Sequence, residues 1–199
     1  MKHIMLILGL LLLAIFSKAQ NTIPGDQLLA DARLLKQALE ELHPSFYRYS
    51  DTASIQMAYT KLEQNLGKGA TQLEAFRYFA EFTSNVRCGH TYPNPYNQKK
   101  ALSEYWAKEN KVLPFTFRIF DGTIVVNQSV DPKLQFGDQI VKMNGVPTSE
   151  IIQQLLPKVK ADGGRDNKRL IDLELHGQSK YEYFDIYYPL YYDLGETIA

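Results

Sequence analysis

The chain predicts an α+β fold, a helical N-terminal subdomain followed by a small β/α module, and three observations carry that prediction. Apolar residues recur at steps of three and four from Leu28 to Thr83, one amphipathic helix after another. From Val112 the pattern changes to runs rich in β-branched and aromatic residues, with an Asp-Gly pair between two of them. Hydrophobic residues make up 45% of the chain and aromatic residues 12%, which is enough for a packed core and argues against disorder.

The N-terminus reads as an export signal. Lys2 and His3 give a positive, polar start, Ile4 to Phe16 is an almost unbroken apolar run, and Ser17-Lys18-Ala19 sets small residues at the two positions a signal peptidase reads. The run is shorter than the about 20 apolar residues of a membrane span, and no cysteine follows it to carry a lipid. Residues 1–19 are therefore expected to be a signal peptide, with a retained N-terminal anchor as the alternative. The mature protein is expected in the periplasm or outside the cell, free or associated with the envelope, with no membrane span after cleavage. Without Lys2 and Lys18, 20 basic side chains face 22 acidic ones. No basic stripe suits a phosphate backbone, so nucleic acid is not an expected partner. Cys88 is the only cysteine; no internal disulfide can form, and stability has to come from the core.

Three helices are expected first. Asp26 can cap a helix with the stripe Leu28, Ala32, Leu35, Leu39 and Leu42, which Pro44 ends. Ser50 or Asp51 starts a second, with Ile55, Tyr59, Leu62 and Leu66, closed near Gly67 and Gly69. Thr71-Gln-Leu-Glu74 is a capping box that opens a third, striped by Leu73, Phe76, Ala80 and Thr83. The helical subdomain is set at residues 20–97. Its end has the composition of a loop, with Pro93, Asn94, Pro95 and Asn97. A polar, Lys-rich link, Gln98 to Lys111, is expected to be helical in part.

The β/α module is set at residues 98–160. Val112 to Phe120 and Thr123 to Val130 read as strands joined at Asp121-Gly122. Gln139 to Met143 reads as one further strand bracketed by turns at Gly137-Asp138 and Asn144-Gly145, where glycine supplies positive φ. Thr148 is expected to cap a helix through Ile151, Ile152, Leu155 and Leu156, and Asn167 to Leu175 to form another. Tyr181 to Tyr192 alternates aromatic residues and reads as a strand pair. Residues 161–199 are assigned to the start of a following domain.

The signature Gly137, Asp138, Ile140, Asn144 and Gly145, with Leu134 before it and a helix directly after it, resembles that of PDZ-like domains, which bind chain ends by adding an extended peptide to a sheet edge. A second feature is Cys88-Gly89-His90-Thr91. Histidine after glycine, where a helix gives way to extended chain, suits an exposed general base. Taken in order, Leu42-His43-Pro44, Tyr47-Arg48-Tyr49, a helix ending in Phe82 to Val86, Gly89-His90-Thr91 and the PDZ-like signature resemble the tail-specific, tricorn-like serine peptidases of bacterial envelopes. The resemblance covers about residues 26 to 195.

That resemblance implies a serine nucleophile activated by histidine, with His90 where that histidine stands, and a peptide or protein substrate. Two departures matter. The tricorn pattern has serine before the histidine, and here it is Gly89; the other branch uses a serine–lysine pair and needs no histidine. The family's nucleophile also lies downstream of the PDZ-like region, and no residue here replaces it. Gly177-Gln-Ser179 lacks the second glycine of a nucleophile elbow. Pro132 spoils a helical pairing of Ser129 with Lys133. The leading expectation is thus the N-terminal portion of an exported serine endopeptidase, inactive by itself.

No cofactor is expected. His43, His90 and His176 are the only mature-chain histidines, and no zinc or calcium motif accompanies them. His43, before a proline at a helix end, is read as structural. An activated Cys88–His90 thiolate pair is not the favoured reading: adjacent side chains on extended chain point to opposite faces, and Gly89 between the two puts them on one side at best. The alternative function is a non-catalytic peptide-binding or scaffolding protein of the envelope. A third, a binder of surface glycans, rests only on the tyrosines near the C-terminus.

Overall fold

The computed structural model describes residues 22–94, 112–178 and 182–192. The signal peptide, Pro95, Asn97, the link Gln98 to Lys111, Ser179 and Tyr181 lie outside them. The protein is an α+β fold of helices and small antiparallel sheets.

A two-residue strand β1 (Thr22–Ile23) pairs antiparallel with β2 (Ala70–Thr71). Between and after them run α1 (Gly25–Leu42), α2 (Thr52–Leu66) and α3 (Gln72–Ser84). Asp26 does not cap α1; Pro24 takes the cap position without a side-chain bond, and the helix starts at Gly25. A side chain at Gly25 would collide with the carbonyl of Gly67, so glycine lets the start of α1 meet the end of α2. Asp51 caps α2 by accepting from the Ser54 N–H at 2.6 Å. The Thr71–Glu74 capping box forms as expected. Leu28, Ala32, Ile55, Tyr59, Leu62 and Leu66 are buried together. Leu42, expected on the same stripe, is 78% exposed, because the last turn of α1 runs past the apolar cluster.

The module after it is built on β3 (Phe115–Phe120) and β4 (Thr123–Ser129). Asp121 and Gly122 both have positive φ, 46° and 75°, the geometry of a tight hairpin turn. The expected strand Gln139 to Met143 is divided. Its first half, β5 (Gln139–Ile140), pairs with β4 through Ile124–Ile140 and Val125–Gln139. Its second half, β6 (Lys142–Met143), pairs with β7 (Val146–Pro147) across the Asn144-Gly145 turn. Thr148 explains the break. Its hydroxyl donates to the Ile140 carbonyl at 2.7 Å and its N–H to the Val141 carbonyl at 3.1 Å. Thr148 is therefore not the cap of α4 (Thr148–Leu155); Pro147 holds that position, and the buried threonine ties the helix to the strand.

A 3₁₀ turn (Leu156–Lys158) follows, then α5 (Asn167–Leu173), α6 (Tyr183–Tyr187) and a last 3₁₀ turn (Tyr188–Leu190). The described part of the tail is thus helical, not a strand pair. Tyr183 stacks on Tyr187 at 5.9 Å and Phe184 on Tyr188 at 5.1 Å, the four-residue spacing of a helix face. The segment assigned to a following domain contributes Leu173, Leu175, Phe184 and Tyr187 to the cluster that also holds Phe117, Ile124, Met143, Ile151 and Leu155.

Helix α3 joins the two clusters. Ala75 and Phe82 face the helical side, while Phe76 and Ala80 face the β side. Each buried phenylalanine contributes roughly 1.5–3 kcal/mol through removal from water, so α3 is anchored on two opposite faces. The stripe of Leu73, Phe76 and Ala80 is only one of its two apolar faces.

Candidate functional site

His90 sits on the chain that leaves α3, and that exit is held by bonds from far along the sequence. The Ser84 carbonyl accepts from buried Arg169 Nη2 at 2.7 Å, and Ser84 Oγ donates to the Pro157 carbonyl at 2.5 Å. Ser50 Oγ donates to the Asn85 carbonyl at 2.6 Å. Arg87 then takes a left-handed conformation, φ 57°, which costs a residue with a Cβ about 1–2 kcal/mol. The surrounding bonds offset that cost. Arg87 Nε donates to the Gly163 carbonyl at 2.8 Å and Nη2 to Asp166 Oδ1 at 2.8 Å, while the Gly163 N–H returns a bond to the Arg87 carbonyl at 3.0 Å.

The reversal at Arg87 leads into a tight turn. The Thr91 N–H donates to the Cys88 carbonyl at 3.0 Å, which leaves Gly89 and His90 at the tip. Tyr92 fixes the far side, edge-on to Tyr183 at 6.4 Å, with the Lys160 ammonium 4.2 Å from the Tyr92 ring centroid. His90 is exposed, and among the described residues its imidazole has no hydrogen-bond or ion-pair partner. Cys88 is half-buried against the helical cluster. The absence of serine before His90 has a steric counterpart, since a Cβ at Gly89 would stand 3.2 Å from the carboxylate of Asp162.

The other histidines are placed elsewhere. His43 ends α1, where Nδ1 accepts from the Ser45 N–H at 3.1 Å and the ring lies edge-on to Phe46. His176 Nε2 is 3.0 Å from the Ile171 carbonyl and 3.6 Å from Glu174 Oε2. Among the described residues no group of three or more His, Cys, Asp or Glu is arranged to hold a metal ion, and no helix is long and apolar enough to cross a membrane.

The PDZ-like signature forms two turns. Gly137, φ 90°, donates to the Val126 carbonyl at 2.9 Å, and the Asp138 carbonyl accepts from the Val126 N–H at 2.9 Å. Asp138 Oδ2 also accepts from the Gln135 N–H at 2.8 Å. Ile140 lies opposite Ile124, and Asn144 and Gly145 turn at φ 49° and 81°. These residues shape the module. On the outer edge of β3 the Phe117 N–H donates to the Leu175 carbonyl at 3.0 Å and the Ile119 N–H to Glu174 Oε1 at 2.8 Å. A peptide adding there would meet the chain's own segment.

Sequence reasoning did not anticipate a carboxylate pair at the start of α6. Glu182 accepts from three successive backbone N–H groups, those of His176, Gly177 and Gln178, at 2.5, 3.1 and 3.1 Å. Asp185 accepts from the Glu182 N–H at 3.2 Å. Burial, reinforced by the nearby Glu182 charge against that hydrogen bond, pushes the Asp185 carboxyl up to about 6. The only sequence signal was the acid-x-x-acid spacing within an aromatic run. No protein-family model, no curated protein and no solved structure matches this chain.

Proposed function

We propose that the chain is the N-terminal portion of an exported serine-type endopeptidase, in which His90 is the general base for a serine on polypeptide beyond these residues. The observation that carries the reading is the exposure of His90 at the tip of a turn held on both sides. A general base has to reach the proton it removes and keep a fixed position. An imidazole on the surface meets the first requirement, and the ties at Arg87 and Tyr92 serve the second. The PDZ-like module supplies peptide docking on this reading. With the β3 edge covered by Glu174 and Leu175, docking falls to the side of β5 and α4.

The test is fluorophosphonate labelling of the complete natural polypeptide beside the 199-residue chain. A serine should label in the former and none in the latter. His90→Ala in the complete protein should slow labelling by at least about a hundredfold, within the range general-base catalysis supplies. Fold loss is not expected, because exposed sites tolerate substitution within about 0.5 kcal/mol. Unchanged labelling in His90→Ala, or labelling of the 199-residue chain, defeats the reading.

A further inference from the structure

Away from the His90 turn, the molecule carries a cavity of about 790 Å³ beside β3, within the roughly 300–1,000 Å³ of small-molecule sites. Phe117 and Ile119 point their N–H groups outward to Leu175 and Glu174. Strand backbone groups repeat their direction every second residue, so Phe115 turns its own to the same side, at the cavity wall. Half of its lining is apolar, formed by Val112, Leu113, Pro114, Phe115, Val130 and Leu175, and Thr116, Gln128 and Ser129 add neutral polar groups.

Two acidic residues, Glu182 and Asp185, also line it and are joined to each other by a hydrogen bond. Glu182 is pinned by four backbone donors, the N–H groups of His176, Gly177, Gln178 and Asp185, and cannot swing away. The turn that pins it is pressed on β3: Gly177 has φ 72°, and a Cβ there would stand 3.1 Å from Thr116 Cγ2. Asp185 uses Oδ2 to accept from the Glu182 N–H, and its Oδ1 has no hydrogen bond to a described residue. Among the described residues, no lysine or arginine lines the cavity. Two fixed carboxylates with no described cation beside them disfavour an anion and offer a charge that a cationic head group uses and a neutral one does not.

We propose that this cavity binds a small primary amine with an apolar body, its ammonium against Asp185 and Glu182 and its hydrocarbon part over Phe115 and Leu175. Hydrogen bonds between ionised partners are about twice as strong as neutral ones, so the head group sets the preference and the apolar wall adds affinity. The raised Asp185 pKa agrees with this, since burial is the main cause that disfavours its charged form and a bound cation would relieve it.

Calorimetric titration of the full chain at neutral pH with hexylamine, 1-hexanol and hexanoate tests the site. Hexylamine should bind at least about tenfold more tightly than hexanol, equivalent to about 1.4 kcal/mol, and hexanoate should not bind. Asp185→Asn, which keeps an acceptor for the Glu182 N–H, should bring hexylamine to the level of hexanol without weakening hexanol. Val130→Trp, at an 86% exposed position on the cavity wall, should weaken both. The proposal is overturned if no probe binds, if hexanol or hexanoate equals hexylamine, if Asp185→Asn keeps the amine preference, or if Val130→Trp leaves binding unchanged.

Discussion

The buried guanidinium of Arg169 donates to the carbonyl of Ser84, the last residue of α3, at 2.7 Å. A cation at a helix C-terminus meets the negative end of the helix dipole, and this one also faces Asp166 at 3.4 Å. Asp166 in turn accepts from Arg87. The exit of α3 and the segment 163–169 are thus one interlocked unit, and the His90 turn inherits its position from that unit.

Arg87 is the residue on which the interlock turns. Arg87→Ala removes its bonds to Gly163 and Asp166 and should destabilise the protein by about 1.5–3 kcal/mol, the range for hydrogen bonds to charged groups. Arg87→Gly loses the same bonds but has no Cβ to strain at φ 57°. It should recover about 1 kcal/mol relative to the alanine variant, after glycine's extra unfolded-state entropy. Urea denaturation of both variants measures this. Equal midpoints would mean that the left-handed conformation is not maintained in solution.

Thr148 separates two roles that one residue type can play. As a helix cap it would tolerate serine and lose modestly with alanine; as a buried donor to Ile140 it leaves an orphaned carbonyl once the hydroxyl is gone. Thr148→Val, nearly the same shape, should therefore cost about 1–3 kcal/mol. Thr148→Ser keeps the donor, loses one methyl group and should cost no more than about 1 kcal/mol. Thermal or urea unfolding decides, and a valine variant as stable as the parent would show that the bond to Ile140 contributes nothing.

What was legible beforehand follows from the range of the interactions. The stripe Ile55, Tyr59, Leu62, Leu66, the Asp51 cap, the Thr71–Glu74 box and the Asp121-Gly122 turn are settled within a few residues, and all form as read. The tail is ambiguous in sequence because Tyr183, Phe184, Tyr187 and Tyr188 fit a two-residue alternation as well as the four-residue helix spacing that forms. Contacts from elsewhere decide it, Phe117 on Phe184 at 5.0 Å and Phe76 on Tyr187 at 6.2 Å. The exposure of His90 after a helix end is legible from residue order. The partners that place its turn, Gly163, Asp166, Arg169 and Tyr183, are all more than 70 positions away in sequence. No local pattern announces them.

Gly89 and Asp162 make a testable pair. A methyl group at Gly89 would press on the Asp162 carboxylate at 3.2 Å, while alanine would lower the entropy of the unfolded chain. In an Asp162→Ala background, Gly89→Ala should stabilise by about 0.4–1 kcal/mol. In the parent that gain should be missing, and a double-mutant cycle isolates the difference. Additive effects would place Asp162 away from the His90 turn.

Asp185 gives a pH dependence of unusual sign for a carboxylate. Its folded value, about 6, lies above the ordinary 3.8. Between the two, the folded protein holds the proton more tightly than the unfolded chain does. The stabilisation from protonated Asp185 is therefore complete below about pH 3.8 and disappears as pH rises through about 6. Asn at this position cannot ionise, so it avoids the loss. Asp185→Asn should match the parent at acid pH and exceed it at neutral pH by up to about 3 kcal/mol, the equivalent of the full displacement at 1.36 kcal/mol per pH unit. Other titrating groups are common to both proteins and cancel from the difference. Urea unfolding at several pH values between 3.5 and 8 measures the gap, which must open with rising pH. A constant gap would mean that the Asp185 carboxyl is solvated as an ordinary surface acid.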